Sequence, residues 1–209
     1  MRATPRLRGG VPLRVTVLMV GLFCWSAGIV AYLESGLGLP PWDVLHQGIA
    51  DHTALSFGGA SIVVGLLVVG VAWLLGARLG PATWLNAFFV GAFIIVLMSI
   101  DAIDHISEQP LGIRLLALAA GVGLIGAGSG LYMGADFGAG PRDTLMVVGV
   151  QRTHRRIAVV RSVLEISVLV AGFALGGTIG IGTAVFALTI GPSVEAAFWA
   201  LERAGPAHH

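Results

Sequence analysis

Gly36-Leu37-Gly38-Leu39-Pro40-Pro41-Trp42-Asp43 follows one long apolar run, and Asp136-Phe137-Gly138-Ala139-Gly140-Pro141-Arg142-Asp143 follows another, 100 residues later. Glycine and proline end a helix, and proline suits the first turn of the next one. Each stretch therefore predicts a break followed by a short helix starting near Pro41 or Pro141. The segments Trp42–Ala50 and Arg142–Val150 are apolar, but a span takes about 20 residues, so they read as half-helices or interfacial helices. Non-helical backbone at membrane depth survives only where protein or a water-filled cavity surrounds it.

The rest of the chain sets that depth. Of 209 residues, 56% are hydrophobic and only 11% are charged, and the mean hydropathy is +0.90. A soluble domain carries about 25% charged residues. The composition excludes a soluble enzyme, a nucleic-acid-binding domain and a disordered scaffold, and it predicts an integral membrane protein. The net charge of +1 gives no global field for a polyanionic partner. The single cysteine, Cys24, lies in an apolar run after bulky Phe23, which argues against a lipidated leader. The first run is too long for a signal-peptide core and is followed by more apolar runs, so it reads as a retained helix.

Six runs qualify as spans: Val15–Leu33, Gly58–Leu75, Trp84–Ile100, Leu115–Met133, Ile157–Leu175 and Ile179–Leu201. Only a tight turn at Gly176 and Gly177 divides the last two, and five spans is the alternative. All 12 basic residues other than histidine are arginine. With six spans and a cytoplasmic N-terminus, Arg2, Arg6, Arg8, Arg14, Arg78, Arg142, Arg152, Arg155, Arg156, Arg161 and Arg203 lie in or beside inside segments. Arg114 alone falls outside, while Asp43, Asp51, Asp101, Asp104 and Glu108 lie in outside segments. This distribution follows the positive-inside rule and predicts that both termini are cytoplasmic.

The halves align at an offset of 100 residues without a gap. Matched pairs include Gly21/Gly121, Gly28/Gly128, Tyr32/Tyr132, Gly38/Gly138, Pro41/Pro141 and Asp43/Asp143, and later Gly76/Gly176, Gly80/Gly180, Thr83/Thr183 and Gly91/Gly191. Gly, Pro, Asp and Thr do not match by chance as apolar residues do, and their common register marks an internal repeat. Three spans per repeat is an odd number, so the second repeat enters from the opposite side. The expected fold is an all-α membrane protein of six transmembrane helices. It is built as two inverted three-helix repeats, with broken or half-helices after the first and fourth. The expected division is a basic tail at 1–14, repeats at 15–104 and 105–201, and a tail at 202–209.

Candidate site residues follow from the breaks. Asp43 and Asp143 fall in the first turns of the short helices, where a carboxylate caps backbone N–H groups and complements the helix dipole. Intramembrane acids are also costly and often functional. On that reading the two face a shared path and bind a cation, a proton or a basic group, with Gly38, Gly138, Pro41 and Pro141 supplying backbone. Arg142 replaces Trp42 in the second turn and has Asp143 or Asp136 within reach as partner. Arg161 and Glu165 lie four apart on one helix face, opposite Ser61 and Gly65 in the first repeat, so this pair breaks the symmetry. It reads either as a self-neutralising pair or as a gate or substrate contact. Glu195, Glu34, Asn86, Tyr32 and Tyr132 are secondary; Glu195 and Glu34 read as interfacial. Gly126, Gly130, Gly134 and Gly172, Gly176, Gly180 have the spacing of close helix packing. His46 and His52 with Asp43 and Asp51 have no specific metal spacing and read as solvated. The Arg152–Arg156 loop reads as a topology signal and a contact for anionic lipid.

The turns Gly-Leu-Pro-Pro-Trp-Asp-Val-Leu at 38–45 and Gly-Ala-Gly-Pro-Arg-Asp-Thr-Leu at 138–145 resemble those of the YczE/YitT/YyaS group of bacterial membrane proteins. Gly180-Ile-Gly-Thr183 with Ile190-Gly-Pro192 is similar to that group as well, and the first repeat departs from it at Gly80–Thr83 and Val90–Ala92. The likeness runs from about Arg14 to Leu201. It implies a multi-pass bacterial membrane protein, often called a permease, and implies no substrate.

No Gly-x-Ser-x-Gly, His-Glu-x-x-His or phosphate-binding loop is present, so no enzyme, cofactor or metal is expected. The leading expectation is a small-solute permease of the bacterial plasma membrane. One alternative is a substrate-binding membrane subunit of a larger transport complex. The other is a non-transport scaffold or assembly factor. Expected partners are the bilayer and an unknown solute or ion, with a homodimer or partner subunit secondary.

Overall fold

The computed structural model describes residues 10–100 and 105–204. Arg2, Arg6, Arg8, Asp101 and Asp104, all used in the charge argument, lie outside the described residues. Regular structure among the described residues is entirely helical. In chain order it comprises α1 (Val11–Glu34), α2 (Pro41–His52), α3 (Phe57–Leu74), α4 (Pro81–Met98), α5 (Leu111–Gly134), α6 (Pro141–Thr153), α7 (Ile157–Ala174) and α8 (Ile181–Ala204), with a one-turn 3-10 segment at Ile106–Glu108.

Each helix of the second half begins 100 residues after its first-half counterpart. The breaks correspond in conformation too: Gly38 has φ +111° and Gly138 has φ +114°. Those values suit glycine alone, and both positions sit at close backbone contacts, Gly38 against Gly180 and Gly138 against Gly80.

Five helices, α1, α3, α4, α5 and part of α8 (Ile181–Leu201), are long and apolar enough to cross a membrane. α7, whose 18 residues include Arg161 and Glu165, is not among those five. At 12 and 13 residues, α2 and α6 reach about 18–20 Å at 1.5 Å per residue, well short of a hydrocarbon core. Leu67, Leu74, Trp73, Leu116, Phe173 and Leu188 are more than half exposed on the outer surface. A water-facing protein does not carry so much large apolar surface; here it is the lipid face.

The centre is an antiparallel pair of α1 and α5. Gly21 lies against Gly128 and Gly28 against Gly121, so the two backbones touch. Leu18, Leu22, Ile29, Val30, Ile125 and Tyr132 fill the core around that crossing. Elsewhere the halves are interleaved. α2 packs on α7, and α6 packs on α3. Phe137 O accepts from Ala82 N at 3.1 Å, and Leu37 O accepts from Gly182 N at 2.7 Å. Each break is thereby hydrogen-bonded to the start of the other half's last helix, which gives the non-helical backbone its partners.

Arginines tie the ends in the same reciprocal way. Arg14 donates to Ala135 O at 2.9 Å and Asp136 O at 2.8 Å, at the end of α5. Arg114 donates to Ser35 O at 2.8 Å and Gly36 O at 2.9 Å, at the end of α1. Arg114, the exception to the charge rule, thus has a capping duty that fixes its place.

One feature is not symmetric. α3 and α4 pack closely, with Gly58 against Gly91 and Gly65 against Ala87. α7 and α8 have no such packed interface. Glu165 stands where Gly65 stands in the first half and Arg161 where Ser61 stands. Gly191, the counterpart of Gly91, has nothing within 4 Å of where a side chain would begin. Two bulky charged residues replace two small ones, and the helices stay apart.

Candidate functional site

The gap between α7 and α8 is a chamber of about 360 Å³. Its charged lining is Arg142, Asp143, Arg161, Glu165 and Glu195, and its rings are Trp25, Trp42, Phe186 and Phe198. Behind it a second cleft of about 40 Å³, with room for little more than a water, runs on between Ser61, Gly65, Asn86 and Tyr132. Trp25, Trp42, Arg142 and Asp143 line both spaces and so form the layer between them.

The short helices deliver this layer. Pro41 and Pro141 open α2 and α6, following Pro40 and Gly140, which make no side-chain capping bond. The chain turns inward at Gly38 and Gly138, and Trp42, Asp43, Arg142 and Asp143 arrive in first turns near the middle of the molecule. Arg142 reaches across the halves to Asp43 at 3.9 Å and lies 4.9 Å from the centre of the Trp42 ring. It takes neither Asp143 nor Asp136 as its ion-pair partner: both lie on or beside its own element, whereas the side chain points across the interface. Arg14 takes Asp136, at 3.6 Å.

The two repeat-related acids do different work. Asp43 is 1% exposed and lines neither space. Its Oδ1 accepts from His46 Nδ1 at 3.0 Å. Asp143 lines both spaces, and its Oδ2 accepts from Tyr132 at 2.8 Å. Neither carboxylate accepts from a helix N–H among the described residues, so capping is reduced to a dipole effect. Of the two acids expected to share a path, Asp143 lines the spaces, whereas Asp43 lies outside their lining, 3.9 Å from Arg142.

Glu165 faces Trp42, Arg142, Arg161 and Asp43, which places it at the heart of the chamber. Gly38, Gly138 and Pro41 shape the entry of the short helices and line neither space, while Pro141 lies on the cleft wall. Tyr132 and Asn86 line the cleft, while Tyr32 is buried elsewhere and donates to Gly182 O at 2.6 Å.

Several residues were not assigned to the site from sequence. His46, expected to be solvated, is 2% exposed, because α2 lies under α3 and α7 instead of at the surface. Glu195, expected at an interface, lines the chamber. Trp25 and Trp42 were legible only as aromatic residues in apolar runs; the repeat offered a hint, since Trp42 opposes Arg142. The glycine rows are internal: Gly126 meets Ser193, Gly130 meets Ala197 and Gly172 meets Leu45. Among the described residues no three His, Cys, Asp or Glu side chains cluster as metal ligands.

The family of unknown function DUF6198 matches residues 12–198. An uncharacterized protein of Haemophilus influenzae is 40% identical over 181 residues, 87% of this chain and 81% of the relative. The uncharacterized membrane protein YczE of Bacillus subtilis is 36% identical over 182 residues, covering 86% and 82%. The uncharacterized protein YyaS of the same organism is 26% identical over 164 residues, covering 78% and 82%. No solved structure matches.

Proposed function

The chain belongs to the family of unknown function DUF6198, and from that premise we propose that it is a small-solute permease of the bacterial plasma membrane. The observation that carries the reading is the unequal state of two equivalent gaps. The α3/α4 gap is shut on glycines, while the α7/α8 gap is an open chamber ending on Arg142 and Asp143. Inverted repeats let two such gaps take turns around one central site.

With α7 counted as a span there are six, and α5–α8 repeat α1–α4 upside down. Arg78 and the Arg152–Arg156 loop then lie with both termini in the cytoplasm. Glu165, Arg161 and Glu195 stand toward the cytoplasmic ends of their helices, and the chamber opens inward. Ser61 and Gly65 belong to the outer gate, which is closed. Asp143, Glu165 and Arg161 meet the solute, and Asp43 with His46 holds Arg142 in place.

A thermal-shift screen of the purified protein against metabolites and ions tests this, followed by uptake of each hit into proteoliposomes. Ligand at 100 times its dissociation constant adds about 2.7 kcal/mol of stability. Expected are a hit that Asp143→Asn abolishes without unfolding the protein, and accumulation of that solute. A hit that is bound but never moved favours a binding subunit of a larger complex. An absence of hits favours a scaffold.

A further inference from the structure

Resting on the permease reading, we propose that the solute is a small organic cation, an ammonium carrying an apolar or aromatic body, held between Asp143, Glu195 and the chamber's rings. The chamber carries three carboxylates, Asp143, Glu165 and Glu195, and two guanidinium groups, Arg142 and Arg161. Arg142 is directed to Asp43 beneath the floor, at 3.9 Å. Arg161 lies one helical turn from Glu165, and the two interact. Arg142 thus has an acid within 4 Å, and Arg161 is matched to Glu165 by helix spacing without a contact that close; in that sense both cations are matched within the protein.

Asp143 and Glu195 are not. Tyr132 gives Asp143 a hydrogen bond at 2.8 Å but no charge. No arginine or histidine side-chain nitrogen lies within 4 Å of either carboxylate among the described residues. Asp143 is half-buried between short helices, where an unmatched carboxylate is costly, and Glu195 adds a second negative charge at the chamber's exposed wall. An ammonium supplies the missing charge and N–H donors to the free Asp143 Oδ1. Trp25, Trp42, Phe186 and Phe198 present rings to the same space, and ring faces attract cations. The volume of about 360 Å³ suits an organic solute. A bare metal ion lacks a ligand cluster in the described chamber. An anion meets surplus negative charge, and a zwitterion has to take an arginine from its acid.

Titration calorimetry on the full-length purified protein, with four probes of similar size, tests the class. Phenethylammonium is the cation, phenylalanine the zwitterion, 3-phenylpropionate the anion and 2-phenylethanol the neutral body. Phenethylammonium is expected to bind at least tenfold tighter than any of the others. Asp143→Asn should weaken it at least tenfold. Glu195→Gln, at an exposed position clear of the Tyr132 bond, should weaken it several-fold with an unchanged melting temperature. Equal or tighter binding of phenylalanine or 3-phenylpropionate overturns the cation and leaves the permease reading intact. Binding that neither substitution alters overturns the assignment of Asp143 and Glu195. If no probe binds, the cation is overturned as well, and the metabolite screen then judges the permease reading separately.

Discussion

Arg114 shows how much a single residue's role depends on what it touches. On the six-span expectation it is the exception among the twelve arginines. In the fold its guanidinium bridges Ser35 O and Gly36 O, the open end of α1. A guanidinium fork holds two carbonyls at once, and an ammonium does not. Arg114→Ala is expected to cost about 1.5–3 kcal/mol, the range for hydrogen bonds to a charged group, seen as a lower unfolding midpoint. Arg114→Lys should recover only part of the loss, and full recovery would show that charge alone matters. Asp143 was legible as a candidate because its type and position repeat. His46 was not, because burial of a helix too short to span is set by its neighbours and leaves no periodicity of its own. Nor did anything local reveal that Asp43 and Asp143 divide into an anchor and a wall residue.

At the scale of elements, the helices were readable because their apolar runs and Gly-Pro breaks are strong local signals. The short helices start at Pro41 and Pro141 as the sequence suggests, and they run two to three residues beyond the expected ends. Several long helices begin a turn earlier than the apolar runs, since Arg14 and Arg114 belong to α1 and α5 and bend back to cap. The separation of α7 from α8 was not readable, because it is a property of a pair. Its trace was the loss of symmetry at Arg161 and Glu165. This gives a sharp contrast between two equivalent glycines. Gly91→Leu should prevent folding, because a side chain there collides with Gly58 and Ile62 of α3. Gly191→Leu has open space and should leave the folded protein's melting temperature within about a degree. If the gaps alternate, however, Gly191 needs to be small when α7 closes on α8. Uptake into proteoliposomes should then be lost in this well-folded variant. Normal uptake by Gly191→Leu would sink the alternation.

At the scale of the whole molecule, six spans place both ends of the chain on one side, and five place them on opposite sides. The single cysteine makes the distinction clean. In a Cys24→Ser background, a cysteine at Arg78 or His154 should react with a membrane-impermeant maleimide only in inside-out vesicles. One at Thr53, or at the exposed Thr178 between α7 and α8, should react only in intact cells with the outer surface accessible, and labelling of Thr178 only in inside-out vesicles would mean five spans. Labelling at His154 and Thr53 from the same side would overturn the inverted arrangement. The reciprocal caps also have a consequence for biosynthesis. The carbonyls at the end of α1 wait for Arg114, and Arg14 waits for Ala135, 121 positions further along. The amino-terminal half therefore leaves the ribosome with its closing bonds still unwritten, and its seat for α6 empty. Until α6 has followed, the end of α1, Arg14 and the face of α3 lack the partners they have in the fold. Mutations in the carboxy-terminal half should therefore register first as reduced abundance of the entire polypeptide.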